Sequence, residues 1–350
     1  MTVEELLDKI RHGEPVVRAS LAGQDLSGVD LSGAQMEHVD LSGTNLRGAC
    51  LDDSSLAQCN FDQADLSAAS LKDVRVFRCR LEAAQLGRAF MRDTNFFESS
   101  LAHADFAKAQ MERVAFVRCE LGHAVLKPGI CDQIVVTESR VDQLDCRGAK
   151  LLHLMFYRMD LRTVAFTQTQ CDGSILMECN LEGQRLAHTS FLRCQFTDSA
   201  MAGVDFSGAV LTQSNFKGAT LTKANFSAVD AAQTMFPEAD LREANCSDAI
   251  FDQSIWADAQ LEGADFSRSR LPLSVFHRVQ ARGASFRDAD LQDADFSYAE
   301  LHHADLRNAR FLRTRFHRAA RADARFSGGG GIIENDPELF KAQEMIHPPR

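Results

Sequence analysis

The sequence predicts an all-β chain: a four-sided parallel β-helix, or solenoid, of about 15 coils, with a short N-terminal capping helix and a C-terminal tail. Three observations predict it. Every fifth residue from Leu21 to Phe326 is apolar, and mostly large, in 61 of 62 positions, with Arg321 the exception. The residue two places before each of these is small in almost every unit, and the residue two places after is mostly polar or Gly. The phase never slips between Leu21 and Phe326. A helix repeats at about 3.6 residues and a strand at 2, so a period of five holds one face of neither. It fits a chain that turns a corner at every unit, with the large and small residues inward and the other three outward. Four such sides close a coil of about 20 residues, and stacked coils pair as parallel strands about 4.8 Å apart.

The elements follow in chain order. Residues 1–15 form the N-terminal cap: Thr2 and Glu5 match a capping box, and Val3, Leu6, Leu7 and Ile10 make an apolar stripe. This predicts a helix over residues 3–12, folded over the first coil. Residues 16–326 are the coils. Between 127 and 160 the small slot is filled by Ile134, Leu144, Leu154 and Met159, after Pro128 and Gly129. Overfilled slots swell or bend the coils, so the largest irregularity is expected there. Residues 327–350 read as a Gly-rich linker and tail, in which Asp336 and Pro337 suit the start of a helix carrying Leu339, Phe340, Met345 and Ile346. The tail either covers the last coil, whose inward Arg321 signals closure, or docks on a partner.

Residues 20 apart sort into columns. One inward column runs Phe96, Phe116, Phe156, Phe196, Phe216, Phe236, Trp256, Phe276, Phe296, Phe316, and the opposite one gains Phe206, Phe226, Phe266 and Phe286. These ladders read as core. Of ten cysteines, Cys59, Cys79, Cys119, Cys179 and Cys194 take the small slot and Cys131, Cys146, Cys171 and Cys246 the large one; Cys50 faces out. Side chains stacked in parallel do not aim at one another as a disulfide requires, so reduced thiols in a cytoplasmic protein are expected.

Motifs of the form Asp25-Leu26-Ser27-Gly28, Thr44-Asn45-Leu46-Arg47-Gly48, Val204-Asp205-Phe206-Ser207-Gly208 and Ala304-Asp305-Leu306-Arg307 recur across residues 21–326. They resemble the pentapeptide-repeat family. The resemblance implies a right-handed quadrilateral parallel β-helix, and it is specific for fold rather than function. Within the family some members resemble DNA in width and acidity and bind DNA gyrase, and others resemble accessory or effector-associated proteins of bacterial type VI secretion. Both stand as alternatives for this chain.

The residues themselves point to a non-enzymatic interaction scaffold. The net charge of −11 argues against a general nucleic-acid binder. The longest apolar run, Leu151–Tyr157 with His153 inside it, is far short of a membrane span, so no membrane insertion is expected. No phosphate loop, nucleophile elbow or zinc-binding helix motif is present, and neither enzymatic activity nor a cofactor is expected. His103 and His123, with Glu120 nearby, and the pair His302 and His303 read as surface histidines rather than a metal site. The Asp or Asn before each large residue reads as a hydrogen-bond acceptor at the corner. One outer side is unlike the other three. It carries Phe77, Phe97, Val117, Tyr157 and Met177 in one column and Val135, Met155, Ile175, Met235, Ile255 and Val275 in the next. A stripe of this kind marks an interface with a protein partner or a sister subunit in a homodimer. Arg307, Arg310, Arg313, Arg315 and Arg318 point out near the last coils and form a basic end, which reads either as a solvated end cap or as a surface suited to an acidic protein or phosphate.

Overall fold

A computed structural model describes residues 1–127, 129–335, 338 and 341. The chain is nearly all β, a parallel β-solenoid of about 16 turns with one short N-terminal helix. It comprises two compact units, Met1–Asn180 and Leu181–Arg350.

The first unit opens with the helix Val3–Arg11. Glu5 N–H donates to Thr2 Oγ1 (3.2 Å) while Thr2 N–H donates to Glu5 Oε2 (2.8 Å), the reciprocal cap expected of this pair. Leu6 is fully buried, and Gln24 of the first coil donates to the Met1 carbonyl at 3.2 Å. Nine short parallel strands then form one wall, from Val16–Val17 through Gln35–Glu37, Ser55–Ala57, Arg75–Phe77, Asn95–Phe97, Ala115–Val117, Val135–Thr137 and Met155–Tyr157 to Ile175–Met177. Successive strands pair with partners 20 residues apart, as in Phe96↔Phe116 and Val136↔Phe156. A second wall holds Phe90–Arg92, Gln110–Glu112, Ile130–Asp132, Lys150–Leu152 and Gln170–Asp172 in the same register.

Two local devices make the corners. A left-handed φ recurs at five-residue spacing between Arg18 and Asp323, on Gly28 and Gly208 but also on Asp53, His103, Leu273 and Tyr298. Glycine adopts that conformation freely and other residues adopt it at a cost, which accounts for the glycines at this position of the repeat. The carboxylate or amide before the large residue accepts from the N–H two residues on: Asp25 from Ser27 (3.0 Å), Asp205 from Ser207 (3.0 Å), Asp295 from Ser297 (2.9 Å). These Asx turns satisfy corner backbone groups. In the small slot, hydroxyls donate to a carbonyl 23 residues back, as Thr44 does to Leu21 (3.1 Å) and Ser214 to Phe191 (2.7 Å).

The interior is solid. In the first unit Phe96 and Phe116 stack with centroids 5.0 Å apart. In the second, Phe196, Phe216, Phe236, Trp256, Phe276, Phe296 and Phe316 form an unbroken stack, with spacings from 4.1 to 5.7 Å. Rings of the opposite column, such as Phe266 and Phe286, meet them edge to face. Offset and edge contacts add about 0.5–1.5 kcal/mol per pair beyond burial.

The coils with overfilled slots keep the offset of 20 between paired strands. Ile134, Leu144, Leu154 and Met159 are all buried in the small slot. A small apolar cavity bounded by Phe116, Leu126, Cys131, Ile134, Leu144 and Phe156 lies among them. Pro128 lies outside the described residues, as do the tail residues Asp336, Pro337, Leu339, Phe340, Met345 and Ile346.

The end of the second unit differs from a free linker. After the glycines, Ile332–Ile333 returns as a strand parallel to Thr314–Arg315. The offset is 18 residues (Thr314↔Ile332) instead of 20, so this last turn is two residues short. Arg321 is half-buried, with its guanidinium 5.1 Å from the centroid of Phe316 and paired with Glu334. Its charge is met by the returning strand, which explains an arginine at an inward position.

Candidate functional site: an apolar sheet face

The last six strands of the nine-stranded wall present a flat outer face. Because side chains alternate along a strand, the central residue of each triplet points in and the flanking two point out. The outward pairs are Arg75 and Phe77, Asn95 and Phe97, Ala115 and Val117, Val135 and Thr137, Met155 and Tyr157, and Ile175 and Met177. Phe77 is 41% exposed, Phe97 39% and Met155 36%; Val117, Val135, Tyr157, Ile175 and Met177 are half-buried against their neighbours. Met235, Ile255 and Val275 stack as successive bridge partners in the second unit, where Ile255 is 37% exposed.

One edge of the face in the first unit is a ladder of charge. The corner residue after each strand is Arg78, Glu98, Arg118, Glu138, Arg158 and Glu178 in turn. Arg78 donates to Glu98 (2.6 Å), Arg118 to Glu138 (2.7 Å) and Arg158 to Glu178 (2.7 Å), while Arg118 also lies 3.7 Å from Glu98. The Arg158 guanidinium holds the Glu178 carboxyl below its ordinary range, assisted by the Tyr157 hydroxyl, which donates to it at 3.2 Å. Arg78 and Arg158 also lie over the rings of Phe77 and Tyr157, at 4.7 and 4.9 Å from the centroids. The ladder joins the polar edge to the apolar columns. Reading columns for apolarity alone misses it, although the alternation of sign at a spacing of 20 is present in the sequence.

The arginines of the last coils are largely paired with acids. Arg307 binds Asp305 through two nitrogens, at 2.8 and 2.6 Å, and Arg313 binds Asp293 in the same way, at 2.6 and 2.8 Å. Arg310 and Arg315 lie 3.8 and 4.0 Å from Asp290 and Asp295. Arg318 is exposed. Much of the expected basic charge is therefore balanced, by Asp305 within the same coil and by Asp290, Asp293 and Asp295 one coil below.

His103 and His123 stack face to face, with centroids 4.7 Å apart and planes at 5°. Glu120 stands beside Arg140 at 3.6 Å. Among the described residues no group of three or more His, Cys, Asp or Glu is disposed to hold a metal ion. Nine cysteines are buried and Cys50 is half-buried, all with free thiols. Other exposed apolar residues went unremarked in the sequence: Ile130 on the second wall, Leu273 at a left-handed corner, and Leu312 near the closing turn. Leu273 stands in a column that is otherwise polar, whereas the Ile130 column also carries Phe90, Val210 and Ile250, and the Leu312 column carries Leu152 and Leu192.

A parallel β-solenoid with this five-residue grammar defines a class of repeat proteins. The chain belongs to the pentapeptide-repeat family. Family models described as pentapeptide repeat region match residues 29–106, 49–126 and 173–246, and pentapeptide repeats (8 copies) match 239–278 and 274–311. No curated protein matches the sequence. Among solved structures, the chain is similar to HetL, a pentapeptide repeat protein involved in heterocyst differentiation regulation from the cyanobacterium Nostoc sp. strain PCC 7120. That match has 24% identity and a TM-score of 0.24, over 74% of this chain and 98% of that one. It is also similar to QnrB1, a plasmid-mediated fluoroquinolone resistance protein, at 20% identity and a TM-score of 0.27, over 57% and 97% of the two chains. A third is Rfr23 from the cyanobacterium Cyanothece 51142, at 19% identity and a TM-score of 0.19, over 34% and 90%. No helix among the described residues is long and apolar enough to cross a membrane.

Proposed function

We propose that the protein is a non-enzymatic interaction scaffold whose rigid coils present the six-strand face of the first unit to a protein. The observation that carries this reading is the pairing of exposed Phe77, Phe97 and Met155 on a flat wall with no element of the described chain laid over them. Contiguous apolar surface of this kind costs solubility, and its usual compensation is a partner. The wall is held by backbone ladders at every coil, so binding orders little and the entropic cost of docking is low. Met235, Ile255 and Val275 extend the same chemistry to the second unit. A DNA-mimicking role would need unbalanced acid along a side, and the Arg–Glu and Arg–Asp ladders supply no support for it.

The test is a pull-down from native lysate with the wild-type chain and with Phe97→Glu combined with Met155→Glu, each checked for native circular dichroism. Loss of a stoichiometric partner, or loss of self-association, in the double variant is the expected result. Identical recovery and identical mass for the two proteins would refute the reading.

A further inference from the structure

We propose that the occupant of this face is a second copy of the chain, packed antiparallel about a twofold axis that passes between Val117 and Thr137. The inference rests on the reading of the face as a docking surface and adds the partner and the geometry.

The charge ladder carries it. Taken in order, Arg78, Glu98, Arg118, Glu138, Arg158 and Glu178 alternate in sign over an even number of positions. Reversing such a series inverts the sign at every position. Two faces brought together by a twofold axis along the strand direction keep the same edge in contact and reverse the coil order. Arg78 then meets Glu178 of the second copy, Glu98 meets its Arg158, and Arg118 meets its Glu138. All six contacts are between opposite charges. A twofold axis along the coil direction instead sets this ladder against the other edge of the wall, at Asp73, Asp93, Arg113, Gln133, His153 and Gly173. That arrangement places Glu98 against Asp93 and Arg118 against Arg113, like against like, and leaves only Arg78 against Asp73 as a pair of opposite full charges. Complementary potentials select register and orientation more than they add affinity, so the ladder decides between these two dimers. An isologous contact also requires one patch to complement itself, and this patch does.

The column from Phe77 to Met177 agrees. In the antiparallel arrangement Phe97 faces Tyr157, Phe77 faces Met177, and the neighbouring column sets Asn95 against Met155 and Arg75 against Ile175. The small residues Ala115 and Val117 face Val135 and Thr137 at the centre. Large residues thus meet at both ends and small ones at the axis, a symmetric profile. The six strands, about 4.8 Å apart, make a face roughly 25 Å tall. A patch of that size places the dimer in the weak, concentration-dependent class.

The experiment is sedimentation equilibrium of the full chain from about 1 to about 200 µM. The wild type is expected to show reversible dimerisation. Arg78→Glu is expected to weaken it about tenfold, because each dimer contains that contact twice. Adding Glu178→Arg to Arg78→Glu is expected to restore it, although both changes set like charges side by side within each chain. Only the antiparallel register predicts that rescue. Should Arg78→Glu lose its native circular dichroism, disulfide formation in Phe77→Cys with Met177→Cys, in a Cys50→Ser background, supplies an independent readout. These positions are five strands apart in one chain, so a bond forms only between copies. A chain that stays monomeric throughout, a double charge variant no tighter than the single one, or thiols that yield no covalent dimer would each overturn the proposal. A monomer that still captures a lysate protein through Phe97 and Met155 would sink the self-pairing and leave the docking reading standing.

Discussion

The indole N–H of Trp256 donates to the hydroxyl of Ser254 at 2.6 Å, with both residues completely buried. Ser254 and Ser274 are 2.9 Å apart, and Ser274 Oγ donates to the Phe251 carbonyl at 2.9 Å. Since a hydroxyl has one proton, Ser254 must donate to Ser274. The chain of bonds therefore runs from indole to backbone without a gap. It explains how one tryptophan sits in a phenylalanine column: the small slot beside it supplies the acceptor that a buried N–H needs.

Ser254→Ala is expected to lower stability by about 1–3 kcal/mol, because the indole N–H is left unsatisfied in an apolar interior. Trp256→Phe made in that same background is expected to recover most of the loss, since Phe already fills the positions above and below. Denaturant midpoints of the wild type, the single and the double variant check this. Equal loss in the single and double variants would contradict it.

Gly129→Ala is expected to destabilise the first unit by about 1–3 kcal/mol, since a Cβ there would lie 2.6 Å from the Leu126 carbonyl oxygen, a backbone atom that cannot swing aside. Gly122→Ala is the control: its nearest neighbour, the Asp142 carbonyl oxygen, would be 3.7 Å away. Thermal melts should separate the two variants clearly.

Asp305 is held at about 2, below the ordinary carboxyl range, chiefly by the hydrogen bonds from Arg307. Asp145 is lowered further by Arg147 and then by Lys127. A carboxyl depressed in the folded state stabilises fully above its unfolded pKa and loses that contribution as pH falls through the folded value. The melting temperature is therefore expected to be flat above about pH 5 and to fall between about pH 4 and pH 2. These pairs are largely exposed, so the effect is small and should shrink in high salt. A melting temperature that rises on acidification would contradict the assignment.

Burial pushes the Cys131 thiol up to about 12 and those of Cys119 and Cys179 up to about 11. Cys50 is half-buried and raised as well, first by burial. A thiol reagent at neutral pH is expected to label Cys50 alone, and slowly, with the other nine reacting only on unfolding. Rapid modification of a second cysteine would show that a coil opens.

The inward positions were legible because they obey a steric rule with few solutions. A closed coil accepts Phe276 or Leu241 at one slot and Ala or Ser at the other, and the period reports both. Buried Cys246 and Cys171 followed from the same arithmetic. The apolar columns at Phe97 and Met155 were legible for the same reason, as exceptions to a polar outer pattern. Outward features that depend on pairs were harder. The Arg78–Glu98 contact is visible only when residues 20 apart are compared for sign. The left-handed corners at Leu273 and Tyr298 leave no mark, because the register of the coil imposes a conformation those residues do not favour. The returning strand at Ile332–Ile333 was hidden by the glycines before it, whose composition suggests a free linker. The pairing of Arg313 with Asp293 likewise turned an apparent excess of charge into a balanced one.

The offset of 20 between paired strands, seen in Phe96↔Phe116, sets how such a molecule can change length. Excising one storey leaves every wall above it in phase, whereas excising a single repeat turns all later walls by a quarter and brings a different side beneath each one. The ionic edge is stricter, because its pattern returns only from Arg78 to Arg118, two storeys on. Gene duplication can thus lengthen the fold one storey at a time, but only insertions of an even number of storeys keep the sequence of signs intact.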